Sequence, residues 1–332
     1  MNTVVTRFVG PPPPYDRECA AALAALPESP LLSAETIPQV RASARESTPR
    51  PTNTELARGG AYTVEERAVP GPACAPDVRL LVCRPVFATA PTPALFYTHG
   101  GGMILGTARD ALGEVLDLAE SVSAAVVSVD YRLAPETPHP GPVEDCYAGL
   151  NWAADHADEL AVDPRRIVLI GGSAGGGIAA ALALMARDLG GPAVAGQLLM
   201  CPMLDDRNDS PSAYQMAELP MWNRTANEVG WTALLGAARG GPDVAPYAAP
   251  ARADDLGRLP PAFLDVGSVD TFRDEDLTYA SRIWQAGGVA ELHVWPGGYH
   301  GFDGLAPDAA LSRAAVAARA NWLSRLLRSV PG

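Results

Sequence analysis

Gly171-Gly172-Ser173-Ala174-Gly175 lies directly between an apolar run, Ile167–Ile170, and a segment of helical periodicity that begins at Ala174. A serine squeezed between a strand and a helix takes strained backbone angles. Its neighbours must then be glycine or another very small residue, and its hydroxyl projects above the sheet. The helix N-terminus beneath it favours negative charge developing nearby. This context calls for a strand-to-helix crossover in a mainly parallel sheet and marks Ser173 as a nucleophile. A phosphate-binding or dinucleotide-binding turn fits poorly. A G-x-G-x-x-G pattern starting at Gly171 needs glycine where Ser173 stands, and no P-loop lysine follows.

The rest of the chain repeats the strand and helix rhythm. Apolar, β-branched runs predict strands at Tyr62–Val69, Val78–Arg84, Ala94–Thr98, Ala125–Val129, Ile167–Ile170, Gly196–Met200, Ala262–Val266 and Glu291–Trp295. Helical patterns fall at Leu112–Ser121, Val143–His156, Ala174–Asp188, Asp274–Ala286 and Pro307–Leu327. Each is long enough for a right-handed crossover over a sheet face. The expected fold class is α/β: an eight-stranded, mostly parallel sheet flanked by helices. Residues 1–55 are rich in proline and polar residues, with one helical stretch at Arg17–Leu26, and read as an arm. Between Met203 and Pro260 no strand pattern occurs, and an insertion of that length at the carboxyl end of a strand reads as a lid.

Charge and composition exclude several classes. The chain carries a formal charge of −13, with its basic residues spread singly, so there is no footprint for nucleic acid. All 25 basic residues are arginine, which removes Schiff-base chemistry, a Ser-x-x-Lys acyl-enzyme and a P-loop clamp. No run of about 18 uncharged apolar residues predicts a membrane span, so no membrane partner is expected. Met1–Asp16 lacks the apolar core and cleavage site of a secretory signal, which predicts a cytoplasmic protein. The five cysteines, Cys19, Cys74, Cys83, Cys146 and Cys201, lack paired metal or redox spacing and read as small buried hydrophobes.

His99-Gly100-Gly101-Gly102 follows the strand Ala94–Thr98. Acyl transfer needs N–H donors aimed at the developing oxyanion, and successive glycines let backbone amides approach a reacting carbonyl. The expected donors are Gly101, Gly102 and Ala174, with His99 fixing the loop. Of the other histidines, His139, His156 and His293 have ordinary structural readings in a proline-rich loop, a helix and a strand. His300 follows the last strand through Pro296-Gly297-Gly298-Tyr299, read as a flexible turn at the carboxyl edge of the sheet, where a general base has to reach the serine. The base needs an acid, and in the order serine, acid, histidine that acid stands just beyond a strand. Asp270 meets this condition, whereas Asp265 lies inside the strand and Asp274 and Glu275 open the next helix.

His99-Gly-Gly-Gly102, Tyr131-Arg-Leu-Ala-Pro-Glu136, Gly171-Gly-Ser-Ala-Gly-Gly176, Asp270-Thr-Phe-Arg-Asp-Glu275 and His300-Gly-Phe302 occur in that order. Taken together, over about residues 60–325, the chain resembles the hormone-sensitive-lipase-like carboxylesterases, the bacterial family IV esterases of the α/β-hydrolase fold. It departs from the family pattern at Gly172, where aspartate or threonine is usual, and at Thr271-Phe272, where proline-leucine is usual. The resemblance implies a triad of Ser173, Asp270 and His300, with oxyanion donors Gly101, Gly102 and Ala174. It implies a helical cap made from the arm, 1–55, and an insertion, 203–245, over a catalytic domain of 56–202 and 246–332. It also implies a homodimer built around the last strand and nearby helix.

The expected activity is a two-step hydrolysis of a small-molecule ester through an acyl-enzyme on Ser173, with no metal or organic cofactor. Met103, Met203, Met221 and Trp222 are the expected pocket wall, suited to short or medium acyl chains under a cap. Two alternatives stand beside this. An amidase or deacetylase acting on an acetylated metabolite uses the same machinery. A non-catalytic ligand-binding receptor of the same fold can dispense with its histidine, whereas here all three triad positions are filled.

Overall fold

In the computed structural model, residues 9–25, 32–47, 50–88 and 91–330 are described. The strands are β1 (Tyr62–Val69), β2 (Val78–Pro85), β3 (Thr92–Thr98), β4 (Ala125–Asp130), β5 (Val162–Gly172), β6 (Gly196–Met200), β7 (Ala262–Val269) and β8 (Ala290–Tyr299). They form one sheet in the order β1-β2-β4-β3-β5-β6-β7-β8. The β1–β2 and β2–β4 pairs are antiparallel, and every later pair is parallel. The predicted α/β sheet of eight strands is therefore the architecture of this chain.

The helices of eight or more residues are α1 (Arg17–Ala24), α2 (Ile37–Ser47), α3 (Leu112–Ser121), α4 (Gly141–Asp155), α5 (Ala174–Leu189), α6 (Arg224–Leu235), α7 (Arg273–Gln285) and α8 (Ala310–Ser329). The period-two alternation of a strand feeds two separate cores, one on each face. Along β2, Leu80 and Val82 join the core that holds Phe96, Leu169 and Ala180. Leu81 and Cys83 join the opposite core, with Tyr97, Ile170, Phe263 and Trp322. β3 is buried at every position, as expected of a central parallel strand covered on both faces.

Two expectations need correction. Pro296-Gly297-Gly298-Tyr299 is not a flexible turn. β8 runs through it to Tyr299, because β7 also continues to Val269 and pairs Val269 with Tyr299 after an irregularity at Gly267. The arm holds more helix than the single predicted stretch: α2 spans Ile37–Ser47, and its Arg41 donates to the carbonyls of Ile104 and Ala134 and to both oxygens of Glu136. Leu26, the predicted end of α1, lies outside the described residues. The segment between β6 and β7 carries α6 and a short helix at Pro211–Gln215, with no strand. Gln215 Nε2 donates to the Pro11 carbonyl at 2.9 Å, joining this insertion to the arm. No helix among the described residues is long and apolar enough to cross a membrane.

Candidate active site

Ser173 sits between β5 and α5 with φ 57° and ψ −124°, the strained conformation its setting calls for. A side chain cannot replace the glycines that permit it. A methyl group at Gly175 would lie 1.9 Å from the Thr98 carbonyl oxygen, and one at Gly171 would lie 2.3 Å from the Gly175 carbonyl oxygen. Gly172 differs, because a methyl group there would meet nothing closer than 3.7 Å. The departure at that position therefore leaves room beside Met200 and does not disturb the turn. The Ser173 amide donates to the Met200 carbonyl at 2.8 Å, and its carbonyl accepts from Met203 at 2.9 Å, so the turn is pinned to the end of β6.

The three residues put forward from the sequence are brought together. His300 Nε2 and Ser173 Oγ are 2.9 Å apart, and His300 Nδ1 lies 2.9 Å from Asp270 Oδ2. Asp270 is buried, and its other oxygen accepts the Phe272 amide at 2.9 Å. The Phe272 ring stands edge-on to His300, with centroids 5.2 Å apart, so the residue that departs from the family pattern supports both acid and base. Burial alone would push the imidazolium of His300 down. The Asp270 charge and hydrogen bond, aided by Cys201, outweigh that and hold it well above the ordinary histidine value. Asp265 faces elsewhere, toward Trp295 Nε1 at 3.0 Å and Arg319 Nε at 2.8 Å.

The glycine loop supplies the polar cradle. Gly101 and Gly102 have φ of 113° and 61°, in the region that favours glycine. A methyl group at Gly102 would lie 2.0 Å from the Trp222 ring. Among the described residues, the amides of Gly101, Gly102 and Ala174 have no protein acceptor. His99 is buried, and desolvation pushes its pKa below the ordinary histidine value. Its Nδ1 donates to the Gly100 carbonyl at 2.8 Å, and its ring stacks on Tyr131 at 4.1 Å. The Tyr131 hydroxyl in turn donates to the His99 carbonyl at 2.7 Å, which fixes the loop as expected of this histidine.

Of the four pocket residues put forward, Met103 and Met203 are buried, Trp222 is half-buried and Met221 is exposed. Trp222 and Met203 meet around Gly230, where a methyl group would lie 3.2 Å from the indole and 3.5 Å from Met203 Cε. A cavity of about 370 Å³ opens on the arm side of the loop, lined by Arg41, Arg45, Leu105 and Leu133 beside Gly100 and Gly101. None of the four lines it. Thr271, next to the acid, donates its hydroxyl to the Trp222 carbonyl at 2.8 Å and accepts Ser212 Oγ on its own carbonyl at 2.8 Å, so the insertion is tied to the acid turn. Glu275 is buried and accepts the amides of Leu204 and Asp205, which fixes the root of the insertion.

Sequence reasoning missed Cys201. Cys19, Cys83 and Cys146 are buried as expected, but Cys74 is exposed and Cys201 stands beside the triad. Its sulfur, an Asp270 oxygen and a His300 nitrogen all lie within 4.8 Å of one another.

The family described as the alpha/beta hydrolase fold matches residues 95–304, which hold every residue of this site. The chain belongs to that family. Within it, the chain falls in the hormone-sensitive-lipase-like, bacterial family IV branch. This alpha/beta hydrolase is 35% identical over 288 residues to esterase LipI of Mycobacterium tuberculosis, covering 85% of this chain and 88% of that protein. It is 37% identical to carboxylesterase NlhH of the same species, covering 72% of this chain and 75% of that one. A solved bacterial heroin esterase superimposes with a TM-score of 0.88 at 40% identity, covering 95% of this chain and 98% of the other.

Proposed function

We propose that this alpha/beta hydrolase is a serine carboxylesterase that hydrolyses small-molecule esters of short to medium acyl chains. Ser173 attacks the ester carbonyl as His300 takes its proton, and Asp270 stabilises the imidazolium that results. The oxyanion rests on the amides of Gly101, Gly102 and Ala174, the alcohol departs with the proton from His300, and water activated by the same histidine releases the acid. One observation carries the reading. Two 2.9 Å hydrogen bonds link hydroxyl, imidazole and buried carboxylate beside three amides without an acceptor among the described residues. The esterase names of the relatives agree with it. In this reading the arm, 1–55, and the insertion, 203–245, form a cap over a catalytic domain of 56–202 and 246–332, with Met103, Met203, Met221 and Trp222 toward the substrate. A homodimer across the edge strand β8, beside the exposed Val294 and Trp284, is part of the same proposal.

The test is Ser173→Ala, which loses acyl-enzyme formation and all labelling by an organophosphonate. An unlabelled wild type, or label on the variant at the same site, overturns the assignment. Matched ester and anilide substrates separate this activity from the amidase reading, with the ester expected to be the faster by far.

A further inference from the structure

No bond-making or proton-transfer step of the hydrolysis described above passes through Cys201. The sheet order sets its position: β6 lies between β5, which ends at the nucleophile, and β7, which ends at the acid. The first residue beyond β6 is therefore placed between the two, with His300 reaching in from β8. The Cys201 amide donates to the Asp265 carbonyl at 2.7 Å, which ties that position to β7.

The geometry points to a binding site for a thiophilic divalent cation, zinc above all, formed by Cys201 Sγ, one ring nitrogen of His300 and one carboxylate oxygen of Asp270, whose occupation switches the hydrolase off. Thiolate, imidazole and carboxylate are zinc's three ligand types, and a fourth position stays open to water. The donor atoms lie no more than 4.8 Å apart. A tetrahedral zinc with bonds of about 2.0–2.3 Å holds its donors roughly 3.3–3.8 Å apart, so closure asks for side-chain shifts of about 1 Å. A second observation lies behind the site. Asp276 on α7 is fully buried, neither of its oxygens has a hydrogen-bond partner among the described residues, and burial, with Glu275 and Asp270 nearby, holds its carboxyl well above the usual carboxylate range. A dication nearby favours the ionised form of that unpartnered carboxyl.

On binding, the Cys201 thiol gives its proton to solvent and His300 enters as neutral imidazole. If the metal takes Nδ1, the bond to Asp270 is lost. If it takes Nε2, the bond to Ser173 is lost. Either way the base is gone, and binding tightens as pH rises because the metal competes with protons. Magnesium and calcium, which prefer oxygen, bind poorly to such a set.

The inhibitory consequence rests on the proposed hydrolase reading, whereas the binding itself does not, and the experiment separates them. Because Cys74 is an exposed thiol, all proteins carry Cys74→Ser. Cobalt added alone should produce a sulfur-to-metal charge-transfer band that zinc displaces and that Cys201→Ser and Cys201→Ala lack. Zinc should inhibit ester hydrolysis reversibly, with EDTA restoring it. Supporting partners of a metal site are worth 10–100-fold in affinity, so losing a ligand should raise the inhibiting zinc concentration by at least about tenfold. Melting curves establish that each variant is folded, and either variant suffices. Cobalt bound without the sulfur band, or Cys201 variants inhibited at the parent's zinc concentration, overturns the proposal. A cobalt band in a protein with no esterase activity overturns the hydrolase reading and leaves the metal site standing.

Discussion

His300 is asked to be neutral when substrate arrives and charged a moment later, and its surroundings set the pH at which both are feasible. Asp270 holds its pKa well above the ordinary 6.5, against the opposite pull of burial. Only the neutral ring accepts the Ser173 proton, so activity rises with pH and is lost as pH falls through that raised value. The acidic limb of kcat/KM should therefore have its midpoint above 6.5. Asp270→Asn should move that midpoint down and lower kcat by about 10⁴, as removal of a triad acid does elsewhere; a pH-rate profile of both proteins checks this. Gly102→Ala forces a methyl group to within 2.0 Å of Trp222 at a φ of 61°. We expect kcat to fall by about 10²–10³, the cost of losing one oxyanion donor, in steady-state assays. At this scale much of the site was legible. Ser173, Asp270 and His300 each combine a residue type with a chain order that few other positions satisfy. Cys201 was not legible, since a cysteine after a strand gains meaning only once the strand order is known.

The elements were read from periodicity, and their centres were easier to place than their ends. β1, β6 and α3 fall where apolar alternation puts them, because turn residues flank them closely. β5 and β8 extend further than expected, since the pairs Thr92 with Val162 and Val269 with Tyr299 recruit polar and glycine-rich residues that carry no strand signal of their own. α2, with proline, serine and arginine in Ile-Pro-Gln-Val-Arg-Ala-Ser-Ala-Arg-Glu-Ser, is stabilised largely by what Arg41 reaches across the chain. A comparable long-range tie fastens α8 to the sheet. Arg319 is 5% exposed and pairs with Asp265 and Asp303, both held mostly away from water. Arg319→Ala leaves that charge buried without its partner and should destabilise the fold by about 3–5 kcal/mol, read from urea denaturation. A loss under about 1 kcal/mol would show that water reaches the carboxylates.

For the whole molecule, the sheet puts nucleophile, base and acid at the carboxyl ends of three parallel strands. In the proposed reading, the arm and the insertion then decide what reaches them. If the arm and insertion close over the site as proposed, rates on p-nitrophenyl esters should peak between acetate and hexanoate, and a maximum at palmitate would show an open groove instead. Sequence patterning marked out the arm and the insertion but not their fastenings. The latch between Thr271 and Trp222 depends on a hydroxyl meeting a carbonyl 49 residues away, which no local pattern reports.

If the insertion is the cap we propose, that latch ties the entrance to the chemistry. A segment anchored on the acid's own turn cannot swing wide without tugging the carboxylate that steadies the imidazole, so admitting a bulky molecule and keeping the machinery aligned are one mechanical event. On that reading, a foreign roof grafted in place of residues 203–245 would inherit the doorway but not the fastening, and would need its own grip on Thr271 before the nucleophile could be roused.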